Sequence, residues 1–254
     1  MIVLKLGGSA ITEKDRPETL DGKSLTAAAA AVSTAFETGD GDSDGDAIEE
    51  LVIVHGGGSF GHHNASEHGV TTTAGSHDPA AVHDIHGAMT TLNEFVLSRL
   101  LEYDVPAVPV HPFSTAHRDS DGDLTLPSQQ VSTLVEEGFV PVLHGDLVAH
   151  AGEGVTVVSG DELVVDLARS LDADRIGLCS TVPGVLDDAD EVVPEIASFD
   201  AVADILGESE ATDVTGGMAA KVQALLELEP EASIFGLGDI EPFLAGDEPG
   251  TTVR

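Results

Sequence analysis

The stretch VIVHGGGSFGHH, residues 52–63, decides how the rest of the chain is read. An apolar run, Leu51 to Val54, stops at His55 and gives way to Gly56-Gly57-Gly58-Ser59-Phe60-Gly61. Read literally this is G-x-G-x-x-G directly after a strand, the pattern that cradles a dinucleotide pyrophosphate. That reading needs an acidic residue about 20 positions on, at the end of a second strand, to hold a ribose. Here the region is TAGSHDPAAVHDIH, a loop running into a helix. The pattern also normally closes the first strand, and this is the second. A dinucleotide site fails on context, so the glycines cradle something else.

Working outward, short β-rich runs alternate with helical ones. IVLKLG, LVIVHGG, VPAVPVHP, FVPVLHGD, GVTVVSGD, RIGLCSTVPG and ASIFGLG read as strands. LTAAAAAVSTAFETG, AAVHDIHGAMTTLNEFVLSRLLEY, QQVSTLVEEG, ELVVDLARSLDA and GGMAAKVQALLELEP read as helices. Such alternation predicts an α/β fold with a parallel sheet covered by helices on both faces. In the long middle helix Val82, Ile85, Met89, Leu92, Val96 and Leu100 recur at spacings of three and four. Val82, Ile85 and Met89 either line a pocket or pack in the core, and the one-sided spacing favours core.

Two further glycine turns bear on chemistry. Lys5-Leu6-Gly7-Gly8-Ser9 follows the first strand, and Thr215-Gly216-Gly217-Met218 opens the helix that carries Lys221. Glycines let backbone N–H groups approach an anion, and helix N-termini add partial positive charge. Three such turns, two with a lysine, suit a cage for several phosphates. No G-x-x-x-x-G-K-[ST] occurs, which excludes a P-loop enzyme.

The 254 residues carry 46 acidic against 10 basic side chains, a formal charge of −36, yet 41% are hydrophobic. That excludes a disordered acidic chain and disfavours nucleic-acid backbones and anionic membranes as partners. The acidic residues are spread through every segment, as in a folded enzyme adapted to high salt, where a Debye length of ~3 Å screens the repulsion. Lys5, Lys14, Lys23 and Lys221 are the chain's four lysines. Where lysine is so scarce, those that fall in glycine motifs have a task.

Other signals lead nowhere. DGDSDG, Asp40 to Gly45, copies the start of a calcium loop, but the position that needs a bidentate glutamate is Leu51. DSDGDL from Asp119 is equally incomplete; both read as solvated acidic turns. HHNASEH lacks cysteine partners and no HExxH occurs, so no zinc site is expected. Cys179 stands alone in an apolar run and reads as a buried, inert thiol. No apolar run approaches 18 residues, and the opening MIVLKL is too short and wrongly flanked for a signal peptide, so a cytoplasmic protein is expected. His63, His68, His77, His83, His86, His117 and His150 belong to no motif.

KLGGSAITEK, VHGGGSFGHH, VLHGD, VVSGDELVVDLA, STVPGVL, DVTGGMAAKV and a terminal GTTV together resemble the amino-acid kinase superfamily along the whole chain. The loop ending Ser59-Phe60-Gly61-His62 narrows the resemblance to the archaeal isopentenyl phosphate kinases. The resemblance implies an open three-layer αβα sandwich in a single domain. Its N-terminal lobe, about 1–150, would hold the phosphate acceptor, and its C-terminal lobe, about 151–254, ATP. It implies transfer of the ATP γ-phosphoryl group to isopentenyl phosphate in an isoprenoid (alternative mevalonate) route, with Mg2+ and a homodimer. Lys5, Gly7, Gly8 and Ser9 would contact the ATP phosphates, Lys14 the transferred group, and Gly57, Thr181, Gly216 and Lys221 the nucleotide. Gly56, Gly61, His62 and Gly160 would hold the acceptor, and Asp161 would orient the lysines. A fosfomycin-type or uridylate kinase, or a silent nucleotide-binding protein of the same fold, are the alternatives.

Overall fold

The computed structural model describes residues 1–37, 48, 50–203 and 217–254. The acidic loop at Asp40–Gly45, together with Thr215 and Gly216, lies outside them. Strand β1 (Ile2–Leu6) enters the centre of the molecule and a helical turn, α1 (Gly8–Ile11), follows at once. Helix α2 (Gly22–Glu37) leads back towards β2 (Leu51–His55). Next come helices α3 (Gly58–Glu67) and α4 (Pro79–Glu102), then strand β3 (Ala107–Pro109). Short strands β4 (His117–Arg118) and β5 (Leu124–Thr125) precede α5 (Gln129–Glu136) and β6 (Val140–His144). A hairpin, β7 (Asp146–His150) and β8 (Gly154–Val158), leads into α6 (Gly160–Ser170) and β9 (Arg175–Ser180). The chain closes with β10 (Glu195–Ile196), α7 (Gly217–Leu225), β11 (Ala232–Gly236), α8 (Ile240–Leu244) and β12 (Thr251–Val253).

Eight strands form the central sheet in the order β10-β12-β11-β9-β1-β2-β6-β3. All pairs are parallel except β11 with β12. The strands are apolar on both faces, as a doubly covered parallel sheet requires. Alternation sends Val3, Val52 and Val54 to one core, where Leu163, Leu167 and Val222 of α6 and α7 meet them. Leu4, Leu51 and Ile53 go to the other, with Leu25 and Val32 of α2 and Leu92 and Val96 of α4. This is the expected αβα sandwich. A smaller four-stranded sheet, β5-β4-β7-β8, stands apart from it and was not expected. Its turn at residues 151–153 is where the sequence suggests one lobe gives way to the next.

Local chemistry fixes the helix starts. Asp78 caps α4 by accepting from the Ala80 N–H at 2.9 Å, with Pro79 at the first helical position. Ser159 and Glu162 form a reciprocal capping box on α6: Oγ of Ser159 accepts from Glu162 N–H, and the Glu162 carboxylate accepts from Ser159 N–H. The largest departure from the sequence reading is α3. GSFGHHNASE, read as a glycine loop, is helical from Gly58, so His62 sits on a helix rather than ending a loop.

Candidate active site

The C-terminal ends of β1 and β2 bring two glycine turns together, backbone against backbone. A Cβ on Gly8 would collide with the Gly58 backbone, and Gly58 itself has φ +48°. Only glycine suits both positions. Thr12 stitches the turns: its hydroxyl donates to the Gly8 carbonyl at 2.9 Å and accepts from Ser59 N–H at 3.0 Å. The result is one cleft of about 340 Å³.

Most of the residues singled out in the sequence line this cleft. Lys5, Gly7, Gly8, Ser9, Lys14, Gly56, Gly57, Gly61, His62, Gly160, Asp161, Thr181 and Lys221 all do so, drawn from positions 5 to 221. Gly216 lies outside the described residues. Lys23, the lysine outside every motif, is exposed on α2 and away from the cleft.

Lys5 is buried and donates from Nζ to Asp161 Oδ1 at 2.6 Å. It reaches there over Gly160, where a Cβ would come within 3.1 Å of Lys5 Cε. Burial opposes ionisation of Asp161, but the fields of Lys5 and Lys221 and the Lys5 hydrogen bond outweigh it and hold its carboxyl below the usual range. Asp161 is therefore an anion held in the field of two cations, placed by the first turn of α6. Arg118 secures that turn, donating to Glu162 Oε1 at 2.5 Å while the other carboxylate oxygen serves the capping box. Helix α3 has Gly57 at its cap position with no capping side chain there, and the Thr12 hydroxyl takes the Ser59 N–H of its first turn.

Along α3 the lining passes from Gly57 through Gly61 and His62 to Ala65. There the cleft becomes apolar. Ile85 and Met89 of α4, Val70 and Val157 line that arm, with Thr71 beside Val157. This corrects the reading of Ile85 and Met89 as core alone: both are buried, yet both line the cleft. Val82 packs beside the arm against the same cluster and does not line it. A helix face at spacings of three and four looks the same whether a neighbour or a ligand covers it, so the pattern could not separate the two. Cys179 also borders the cleft, and burial pushes its thiol up to about 12, in keeping with an inert residue.

One carboxylate the sequence reading missed is Asp146, whose buried side chain faces the cleft and pairs with His86 Nδ1 at 2.9 Å. His86, which the sequence places in no motif, thus holds a carboxylate of the cleft. His55, His111 and His144, also unremarked in the sequence, cluster beside it. Among the described residues no group of three or more His, Cys, Asp or Glu is disposed to hold a metal ion. In the second acidic loop Asp119 Oδ1 accepts from the Asp121 and Asp123 N–H groups, an ordinary turn. No helix among the described residues is long and apolar enough to cross a membrane.

The sequence model of the amino acid kinase family matches residues 1–233. The chain is 55% identical to the isopentenyl phosphate kinase of Haloferax volcanii over 254 residues, covering 100% of this chain and 98% of that one. It is 33% identical to the isopentenyl phosphate kinase of Methanothermobacter thermautotrophicus, covering 98% of this chain and 96% of that one. A crystal structure of an isopentenyl phosphate kinase superposes with a TM-score of 0.82 at 27% identity, over the whole of both chains. Fold, cleft and sequence thus agree, and the chain belongs to the amino acid kinase family, on the branch of the isopentenyl phosphate kinases.

Proposed function

We propose that this chain transfers the γ-phosphoryl group of ATP to isopentenyl phosphate, giving isopentenyl diphosphate. One observation carries the reading. A single cleft joins a lysine- and glycine-lined end to an apolar arm, and His62 stands between them on α3. A phosphate with a short hydrocarbon tail is the ligand such a cleft fits.

A phosphomonoester is already an oxygen nucleophile at neutral pH, so the transfer needs no strong base. It needs cations and directed dipoles around the equatorial oxygens, and in-line placement of the two phosphates. Lys5 and Lys221, both in the field of Asp161, and the exposed Lys14 supply the charge. Gly7, Gly8, Ser9 and Gly57 line the side assigned to the triphosphate and Thr181 that of the nucleotide; Gly216 joins the nucleotide set by the family resemblance alone. Gly56, Gly61, His62 and Gly160 take the acceptor phosphate. The lobe division near residue 150 follows the same assignment. Among the described residues the two carboxylates of the cleft are already engaged, Asp146 by His86 and Asp161 by Lys5. The Mg2+ that accompanies ATP would therefore be held by the triphosphate oxygens and water, screening charge there. The family resemblance further supports a homodimer, and the haloarchaeal relative supports a high-salt, cytoplasmic setting.

The test is a panel of acceptors in molar potassium chloride: isopentenyl phosphate, uridylate, fosfomycin and acetylglutamate. Isopentenyl phosphate should lead acetylglutamate by orders of magnitude in kcat/KM. Equal or better turnover of the carboxylate, or of either other phosphate-type acceptor, would overturn the assignment.

A further inference from the structure

His55 and His144 end adjacent parallel strands and face each other in register at the tips of β2 and β6. Both are fully buried, and their rings stack with centroids 5.4 Å apart and planes inclined by 22°. Each precedes a glycine that lines the cleft, Gly56 and Gly145. The Gly145 N–H donates to the His55 carbonyl at 2.9 Å, tying the two turns together.

Each ring turns Nδ1 to the carbonyl oxygen of the glycine after it, at 3.1 Å for His55 and 3.0 Å for His144. A carbonyl oxygen only accepts, so both rings carry a proton on Nδ1. Burial pushes His55 down to about 4 and His144 well below its ordinary value, so both are neutral at working pH and both Nε2 atoms are bare acceptors. His144 Nε2 is met at 2.9 Å by His111 Nδ1, which donates to it. His55 Nε2 is met at 3.1 Å by the side-chain amide of Asn93. As placed, Asn93 turns Oδ1 to the ring, which sets two acceptors against each other and leaves the buried Asn93 Nδ2 without a hydrogen-bond partner. The opposite amide orientation removes both faults at once, with Nδ2 donating to His55 Nε2.

We propose that His55 and His144 are positioning residues. As neutral imidazoles they use Nδ1–H to fix the glycine peptides that wall the phosphate end of the cleft, and Asn93 and His111 lock their tautomers. In a planar trans peptide the carbonyl and the following N–H point opposite ways. Tying the Gly56 oxygen to the ring beneath therefore turns the Gly57 N–H away from the ring, and Gly57 lines the cleft. The Gly145–Asp146 peptide is held in the same manner. Two plain apolar side chains would fill the space but leave both carbonyls without these bonds. The catalytic use of the rings rests on the kinase reading; their tautomers do not.

Two readouts test this. Long-range 1H–15N spectra of histidine-labelled protein in molar potassium chloride should show His55 and His144 neutral with the proton on Nδ1. A proton on Nε2, or a cationic ring, at either residue would overturn the proposal. In kinetics, His55→Leu should lower kcat by ~10-fold or more with KM for ATP little changed, as when a donor aimed at the transition state is lost. His55→Asn, whose amide can reach the Nδ1 position, should retain more activity than His55→Gln. Equal losses in the three, or none in His55→Leu, would contradict the positioning role. Should His55→Leu fail to fold, Asn93→Leu serves in its place: it should mix the His55 tautomers in the spectrum and lower kcat together, and a spectrum unchanged from the wild type would overturn the lock. An Nδ1-protonated spectrum with no transfer to any acceptor would overturn the kinase reading and, with it, the catalytic use of these rings.

Discussion

Lys5 meets Asp161 over Gly160, which has no side chain to obstruct it, and Lys221 adds its field. Lys5→Ala and Lys221→Ala should each lose activity by a factor on the order of 10² or more, as when one charge-stabilising donor is removed. Lys23→Ala should change little in the same assay. His62, half-buried on α3 and lining the cleft, is the donor proposed for the acceptor phosphate. The nucleophile is already anionic, so His62→Ala should cripple turnover while His62→Gln and His62→Asn, which keep an N–H, retain more of it. An ATP-binding titration should be unchanged in all three, and lost ATP binding in any of them would contradict an acceptor role. These residues were legible because lysine is scarce and because Ser59 to His62 sit in a motif. His55 and His144 were not: the chain has eleven histidines, and the partners that give these two their function lie 38 and 33 positions away.

At the scale of elements, α3 was misread because GSFGHHNASE carries two glycines and few strong helix formers. Its contacts with α4 and with the Gly8 turn, not propensity, hold it in shape. The main-sheet strands were legible from continuous apolar runs, whereas two-residue strands such as β4 and β5 leave no pattern to read. Helix α4 and strand β7 are joined by the His86–Asp146 pair. The hydrogen bond to Asp146 holds His86 above 6.5 against the opposing effect of burial, and burial raises Asp146 above 3.8. Both groups bind protons more tightly in the folded chain than in the unfolded one. The stabilisation is thus complete below the unfolded values and fades as pH rises through the folded values of Asp146 and His86. His111 and His144 lie beside the pair, so the comparison is made against a single variant. As pH rises from the ordinary histidine value through the raised value of His86, wild-type Tm should fall more steeply than that of His86→Gln. Parallel slopes in the two proteins would remove the pair from the account.

The whole molecule is governed by a formal charge of −36. That field repels two anionic ligands as well as the chain itself, while the cleft gathers cations at one spot. At ~0.05 M salt, where screening is weak, Tm should fall and KM for ATP should rise relative to molar salt. Unchanged values would show that the acidic surface does not depend on screening. Charge and alternation of elements were both visible in the sequence, but the apolar arm was not. It exists only where α3, α4 and β8 converge, and each contributes residues that serve equally well as core. The arm and the lysine cradle together make the central claim, that the acceptor is a phosphate with a hydrocarbon tail. Phosphorus NMR of the protein mixed with ATP and isopentenyl phosphate in molar potassium chloride tests it most directly. The account predicts that loss of ATP is matched by ADP and by a new pair of coupled resonances from a diphosphate ester. ATP consumed to ADP and orthophosphate alone, or no consumption while the folded protein binds both ligands, would contradict it.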